Sequence, residues 1–305
     1  MIRQAADRIR PIAHHTPVLT SHAFDAESGV NAFFKCENFQ KGGAFKIRGA
    51  ANLIFSLSNP KDVIAYSSGN HAQATAIAAR HVGAACTIVM PSDAPHSKLE
   101  ATRGYGANIV AYDRFRESRE QITAAIIAKS GATLVPPFDH PLIIAGQGTA
   151  ALEALEQAPQ LDALIAPVGG GGLLSGSALA ARSLNPKIRI FGAEPEGAND
   201  TYLSFRAGER VEVAPDTIAD GLRSPMPGKL TFAIIRELAE NILLVTEDEI
   251  RTTLRFLLTR MKILVEPSGA VSAAAVLYRK LPPGIGRVGI ILSGGNMDFE
   301  QLAEI

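Results

Sequence analysis

The chain has 305 residues, with 30 lysines and arginines against 30 aspartates and glutamates, and 47% of its residues are hydrophobic. Zero net charge excludes the broad basic surface from which nucleic-acid and membrane-surface binders gain affinity, and the apolar content suffices for one large core or two modest ones. Cys36 and Cys86 have no ligand or redox spacing, which fits a reducing, cytosolic setting.

In chain order, the opening MIRQAADRIRPIAHH lacks an apolar signal core and reads as a charged amphipathic helix. Residues 63–66 read as a buried strand followed by a helix over 71–81. A strand over 85–90 precedes a helix around 97–104, and a strand over 108–111 precedes a helix over 116–129. A strand over 133–135 precedes a helix over 148–157, and a strand over 164–166 precedes a helix over 173–184. Next come a strand over 189–193, a long helical stretch over 247–264, a helix over 268–279 and a closing strand over 287–292. Strand-then-helix alternation predicts an α/β fold of parallel sheets covered by helices. Residues 163–181 carry no charge, yet Pro167 and a glycine run exclude a membrane span there. No repeat, low-complexity tract or long linker interrupts the chain, so any two domains must dock closely. Ligands in such folds sit in loops at the carboxyl ends of strands, and five loops carry candidate chemistry.

The first loop, Glu37-Asn38-Phe39-Gln40-Lys41-Gly42-Gly43-Ala44-Phe45-Lys46, puts Lys46 just past a glycine-rich bend. A lysine in a loop is ordinarily a solvated charge; it also forms a Schiff base with an aldehyde, which pyridoxal 5′-phosphate offers. Ser67-Ser68-Gly69-Asn70-His71 joins a strand to a helix. It reads either as a plain helix cap or as a nest of donors for a substrate carboxylate. His71, at the helix start, is an ordering or packing residue rather than a base.

Gly169, Gly170, Gly171 and Gly172 follow a strand and open a helix, which makes a phosphate site or a tight structural turn. Nucleotide readings fail on spacing, since neither GxxxxGK[ST] nor GxGxxG is met. Ser293, in Leu292-Ser293-Gly294-Gly295-Asn296, ends the last strand, where its hydroxyl either closes a turn or bonds a ring nitrogen. Glu194 and Asp200, six residues apart, form an acidic surface loop or enclose one hard cation with a carbonyl between them.

With these motifs in order, the chain resembles the serine/threonine dehydratase and serine racemase family of fold type II pyridoxal-phosphate enzymes, from about residue 12 to 298. The resemblance implies two docked open parallel-sheet α/β domains, tryptophan synthase β-like, with the cofactor in the cleft. Residues 1–61 and 142–305 form the large domain, and 62–141 a small mobile domain that closes over the substrate. It implies Lys46 as Schiff-base lysine and catalytic base, and Phe45 and Gly221 on opposite faces of the ring. Asn70 contacts the ring's phenolic oxygen, Gly169 to Gly172 hold the phosphate, and Ser293 partners the pyridine nitrogen. Ser67, Ser68, Asn70 and His71 hold the substrate carboxylate, with Ser68 the second acid/base on the opposite face of Cα. Glu194, the Ala198 carbonyl and Asp200 match a Mg²⁺, Mn²⁺ or Ca²⁺ site.

Two departures stand out. Ala44 replaces the serine many members have before Phe-Lys. The chain also ends soon after Ser293, so no C-terminal regulatory domain and no isoleucine inhibition are expected. The activity implied is a cytoplasmic, homodimeric ammonia-lyase converting L-threonine or L-serine to a 2-oxo acid and ammonia, without nucleic-acid or membrane partners. Serine racemase with side dehydration and 3-hydroxyaspartate ammonia-lyase are the alternatives. A non-catalytic sensor would have no use for Lys46, and Ser68-Gly69-Asn70-His71 departs from the Ser-Gly-Asn-Thr of cysteine-synthase-type transferases.

Overall fold

Ten strands appear in the computed structural model, which describes residues 1–94, 96–303 and 305. They are β1 (Val18–Leu19), β2 (Asn31–Cys36), β3 (Asp62–Tyr66), β4 (Ala85–Pro91), β5 (Asn108–Tyr112), β6 (Thr133–Leu134), β7 (Ala163–Pro167), β8 (Arg189–Pro195), β9 (Asn241–Val245) and β10 (Arg287–Leu292). They form a six-stranded sheet, ordered β1-β2-β10-β7-β8-β9, and a four-stranded sheet, ordered β5-β4-β3-β6. All pairings are parallel except the short edge pair β1–β2. Parallel strands covered on both faces read as continuous apolar runs, and every residue of β7 is buried. In register, Ile290 of β10 lies opposite Phe34 of β2 and Ile165 of β7.

The larger core centres on Phe24, Phe34, Phe191 and Ile290, all at 0% exposure. Phe24 and Phe34 meet edge to face with centroids 4.8 Å apart. Against this sheet lies the helix Pro267–Leu277, whose small apolar residues are buried all round. Proline at its first turn is preset for a helix start.

Several expectations required correction. The stretch 247–264 is not one helix. It is α-helical over Glu247–Phe256, widens to a π turn over Leu257–Met261 and stops at Lys262, which takes φ +61°. The helix expected from 116 begins at Arg119, because the Ser118 hydroxyl caps it by accepting from Gln121 N–H. The strand β8 runs two residues further than expected and takes in Glu194 and Pro195.

Strands β1, β2 and β9 and the helices Lys46–Ile54 and Pro141–Gln147 were not expected. In β2 the pattern is hidden by Lys35, a buried cation whose Nζ donates to Glu153 at 2.6 Å and to Gln157 at 2.9 Å. In the helix Lys46–Ile54 it is hidden by Arg48, Gly49 and Asn52, all buried polar or backbone-only positions. Among the described residues no helix is long and apolar enough to cross a membrane.

Candidate active site

The carboxyl ends of β3, β7 and β10 and the turn after β2 open on one cavity of about 980 Å³. Phe45, Lys46, Ser67, Ser68, Asn70, His71, Gly169 to Gly172, Gly221 and Ser293 all line it. The loops that proximity in sequence could never group are thus brought together by topology.

Lys46 starts the helix Lys46–Ile54. The bend before it needs positive φ at Gly42 (+75°) and Gly43 (+73°), and a side chain at Gly43 would overlap Asn296. The bend is tied to the end of β10 by Phe45 N–H to Ser293 O at 3.0 Å and Gly295 N–H to Gly43 O at 2.9 Å. Lys46 Nζ donates to Pro137 O at 2.9 Å and lies 5.2 Å from the Phe45 ring centroid. Burial lowers its pKa to about 8, against the opposing pull of Glu266.

The helix Asn70–His81 begins without a side-chain cap. Its opening turn spends Gly69 N–H on the Ser67 hydroxyl at 3.2 Å. Among the described residues, the N–H groups of Ser68, Asn70 and His71 have no protein acceptor. Three free donors at a helix N-terminus form a ready anion site. His71 is 3% exposed, its Nε2 lies 2.8 Å from Val135 O, and burial drives its pKa down to about 3. A buried imidazole held on the Val135 carbonyl and kept neutral by desolvation is suited to ordering the turn rather than to acting as a base.

The glycine run precedes the helix Gly172–Leu184. Gly171 takes φ +89°, and a side chain on Gly170 would overlap the Phe138 ring. Gly170 O is held by the Thr231 hydroxyl at 2.7 Å. Among the described residues none of the four glycine N–H groups is spent on a protein acceptor. A cradle of unspent donors at a helix N-terminus, which no side chain could share, fits a phosphate. Gly221 N–H donates to the Ser268 hydroxyl at 2.9 Å, and Ser293 contributes a neutral hydroxyl to the same cavity.

Glu194, Ala198 and Asp200 lie outside the cavity lining and are each fully buried. Glu194 accepts from Thr201 N–H at 3.2 Å and Tyr202 N–H at 2.8 Å. Among the described residues, both oxygens of Asp200 are without a hydrogen-bond partner. Burial first and the neighbouring Asp200 second push the Glu194 carboxyl well above the usual carboxylate range, and burial raises Asp200 too. Two buried carboxylates, the oxygens of one of them unpartnered among the described residues, are oxygen donors of the kind that could hold a hard divalent ion.

Sequence reasoning missed Glu266. It is 4% exposed, lines the cavity and accepts from Asn70 Nδ2 at 2.7 Å. Its only local signal is its place before Pro267 at a helix start, which marks a boundary rather than a site. Also missed was Lys98, which pairs with Asp220 and links the helix His96–Gly104 to the segment holding Gly221.

A model of the pyridoxal-phosphate dependent enzyme family matches residues 9–294. The chain is 51% identical to the L-threo-3-hydroxyaspartate ammonia-lyase of Saccharomyces cerevisiae, over 100% of this chain and 94% of that protein. The crystal structure of serine racemase from Dictyostelium discoideum superposes with a TM-score of 0.93 at 48% identity, over 98% of each chain. The structure of maize serine racemase superposes with a TM-score of 0.96 at 44% identity, over 99% of this chain and 94% of that one.

Proposed function

This chain belongs to the pyridoxal-phosphate dependent enzyme family, and on that premise we propose an ammonia-lyase that converts L-threonine and L-serine to 2-oxo acids and ammonia. The observation that carries the reading is Lys46 Nζ, with its lowered proton affinity, in one cavity with two separate sets of unspent N–H donors. In this reading Lys46 would anchor the cofactor aldehyde and the glycine N–H groups would hold its phosphate. Phe45, Gly221, Asn70 and Ser293, which line the same cavity, would hold the ring, with Phe45 and Gly221 toward its faces, Asn70 toward its phenolic oxygen and the Ser293 hydroxyl toward its nitrogen. When bound, pyridoxal phosphate supplies the electron sink that makes a Cα proton removable.

The N–H groups of Ser68, Asn70 and His71, with the Ser67 hydroxyl, hold the substrate carboxylate. Lys46 Nζ would take the Cα proton as general base, and its pKa, lowered by burial to about 8, favours the free amine this requires. The Ser68 hydroxyl serves the opposite face of Cα, which gives serine racemisation as a side activity. Residues 1–61 and 142–305 act as one unit and 62–141 as a smaller one that closes over the substrate. The separate four-stranded sheet, whose strands β3 to β6 all fall within 62–141, supports that division, and the Lys98–Asp220 ion pair bridges the two parts.

Glu194, the Ala198 carbonyl and Asp200 hold Mg²⁺, Mn²⁺ or Ca²⁺, a reading supported by the orphan oxygens of Asp200. Cys36 and Cys86, both free and buried, support a cytosolic setting. A homodimer completes this reading, with Phe39 and Leu264 among the exposed apolar side chains a second copy would cover.

A second reading is a 3-hydroxyaspartate ammonia-lyase. It is supported by the yeast relative and by Arg114, Arg119, Arg210 and Arg223 in the cavity lining, cations suited to a second carboxylate. One assay separates the readings: 2-oxo acid release and change of chirality over the isomers of serine, threonine and 3-hydroxyaspartate. Turnover of L-threonine and L-serine is expected. Turnover of hydroxyaspartate alone would select the second reading, and no 2-oxo acid from any isomer would overturn both.

A further inference from the structure

Glu266 closes a chain of side chains that begins at the glycine bend preceding Lys46. Asn296 Nδ2 donates to Gly42 O at 2.8 Å and to Asn70 Oδ1 at 2.9 Å. With both hydrogens of that amide spent on oxygens, Asn70 must turn its own oxygen to Asn296 and its nitrogen to Glu266 Oε1, 2.7 Å away. One Asn70 N–H is left for a ligand oxygen in the cavity. Room for the Glu266 carboxyl exists because position 294 is glycine; a side chain there would overlap Oε1, and Glu266 N–H bonds Gly294 O at 3.0 Å.

We propose that Glu266 is a positioning residue: it orients Asn70 toward the cofactor and, from the lining of the cavity it shares with Lys46, biases that lysine's readiness to act as a base. This rests on the reading that Lys46 and the cofactor work in this cavity.

The groups that face Glu266 come from several elements. Asp220 repels its charge, while Lys98 and the Asn70 amide favour it, and Lys46 senses it across the cavity. Burial, then Asp220, push the carboxyl up to about 8, so it is a neutral acid at pH 7. Ionised, it raises the proton affinity of Lys46. Activity therefore rises as Lys46 loses its proton and turns down as Glu266 loses its own.

Glu266→Gln keeps an acceptor for Asn70 and cannot ionise. The wild-type profile of kcat/KM is expected to turn down above about pH 8, by up to about tenfold per pH unit for one ionisation. The Glu266→Gln profile should lack that downturn. Asn70→Ala removes a bond that favours the ionised acid, so its downturn should move to higher pH. Should the glutamine variant fail to fold, this second shift decides.

Thermal midpoints of the full-length protein, with and without cofactor, give a readout free of catalysis. A folded pKa raised from 4.5 to about 8 adds stability that is present below the unfolded value and lost as pH rises through the folded one. The midpoint of Glu266→Gln relative to wild type should therefore climb between pH 5 and 8. A merely structural role would give one offset at every pH and a profile of unchanged shape, and that result overturns the proposal. If neither protein releases a 2-oxo acid, the lyase reading fails, while the midpoints still judge Glu266.

Discussion

Replacing Arg48 with methionine tests how the Lys46 turn is held. Arg48 and Glu37 are both at 0% exposure. The guanidinium meets Glu37 through Nε at 2.7 Å and Nη2 at 2.8 Å, and Glu153 through Nη1 at 2.7 Å and Nη2 at 2.8 Å. Lys35 Nζ completes the cluster by donating to Glu153 at 2.6 Å. The cluster is neutral: two cations against two carboxylates. A surface pair is worth about 0.2–1 kcal/mol, but removing one member of a buried pair leaves an uncompensated charge and costs about 3–5 kcal/mol.

Glu37 is the partner left most exposed to that loss, since Glu153 keeps Lys35. Arg48→Met is therefore expected to lower unfolding stability by about 3–5 kcal/mol. Adding Glu37→Gln should restore part of it, a coupling of at least about 2 kcal/mol in a double-mutant cycle. Urea unfolding of the four proteins measures this. Because Arg48 lies in the same helical turn as Lys46, the single variant should also lose kcat. A loss below about 1 kcal/mol, typical of an exposed pair, or additivity of the two changes, would refute the account.

Lys46→Ala should abolish turnover, and borohydride treatment of the holoenzyme should attach the cofactor to the peptide containing Lys46; attachment at any other lysine ends the catalytic assignment. Chelation should lower the thermal midpoint because it leaves the buried Glu194 and Asp200 carboxylates repelling one another. Mg²⁺, Mn²⁺ or Ca²⁺ should restore it, and Asp200→Ala should show no response; an unchanged midpoint in a demonstrably metal-free sample removes the site. Ser68→Ala should eliminate serine racemisation and D-serine dehydration while L-serine dehydration persists, followed by chiral chromatography. The reverse pattern would mean that Lys46 and Ser68 serve the other faces of Cα.

What the sequence made legible was local. Strand-to-helix loops carry their own signals, so Ser67 to His71, Gly169 to Gly172 and Ser293 could be read as loop motifs before any contact was known. The cavity then joins them because parallel strands all point their carboxyl ends the same way. Charged residues in the interior were illegible for the opposite reason. Lys35, Arg48 and Glu266 each look like surface residues until a distant partner is known, and Glu153 and Asn70 lie 118 and 196 residues away from Lys35 and Glu266. The break at Lys262 was equally hidden, since Leu257-Leu258-Thr259-Arg260-Met261 has good helix composition and only the tertiary fold widens its last turn.

Burial moves the titratable groups around Lys46 toward neutrality. It lowers the lysine to about 8 and His71 to about 3, and it raises Glu266 to about 8. Ser293 is uncharged by nature. Beside the arginines of the cavity lining, the unspent N–H groups at the starts of the helices Asn70–His81 and Gly172–Leu184 would meet a phosphate and a substrate carboxylate with backbone dipoles. Such donors are rigid and cannot titrate. On the proposed roles, the pH response would rest on Lys46 and Glu266, two groups of similar proton affinity and opposite charge type that line one cavity.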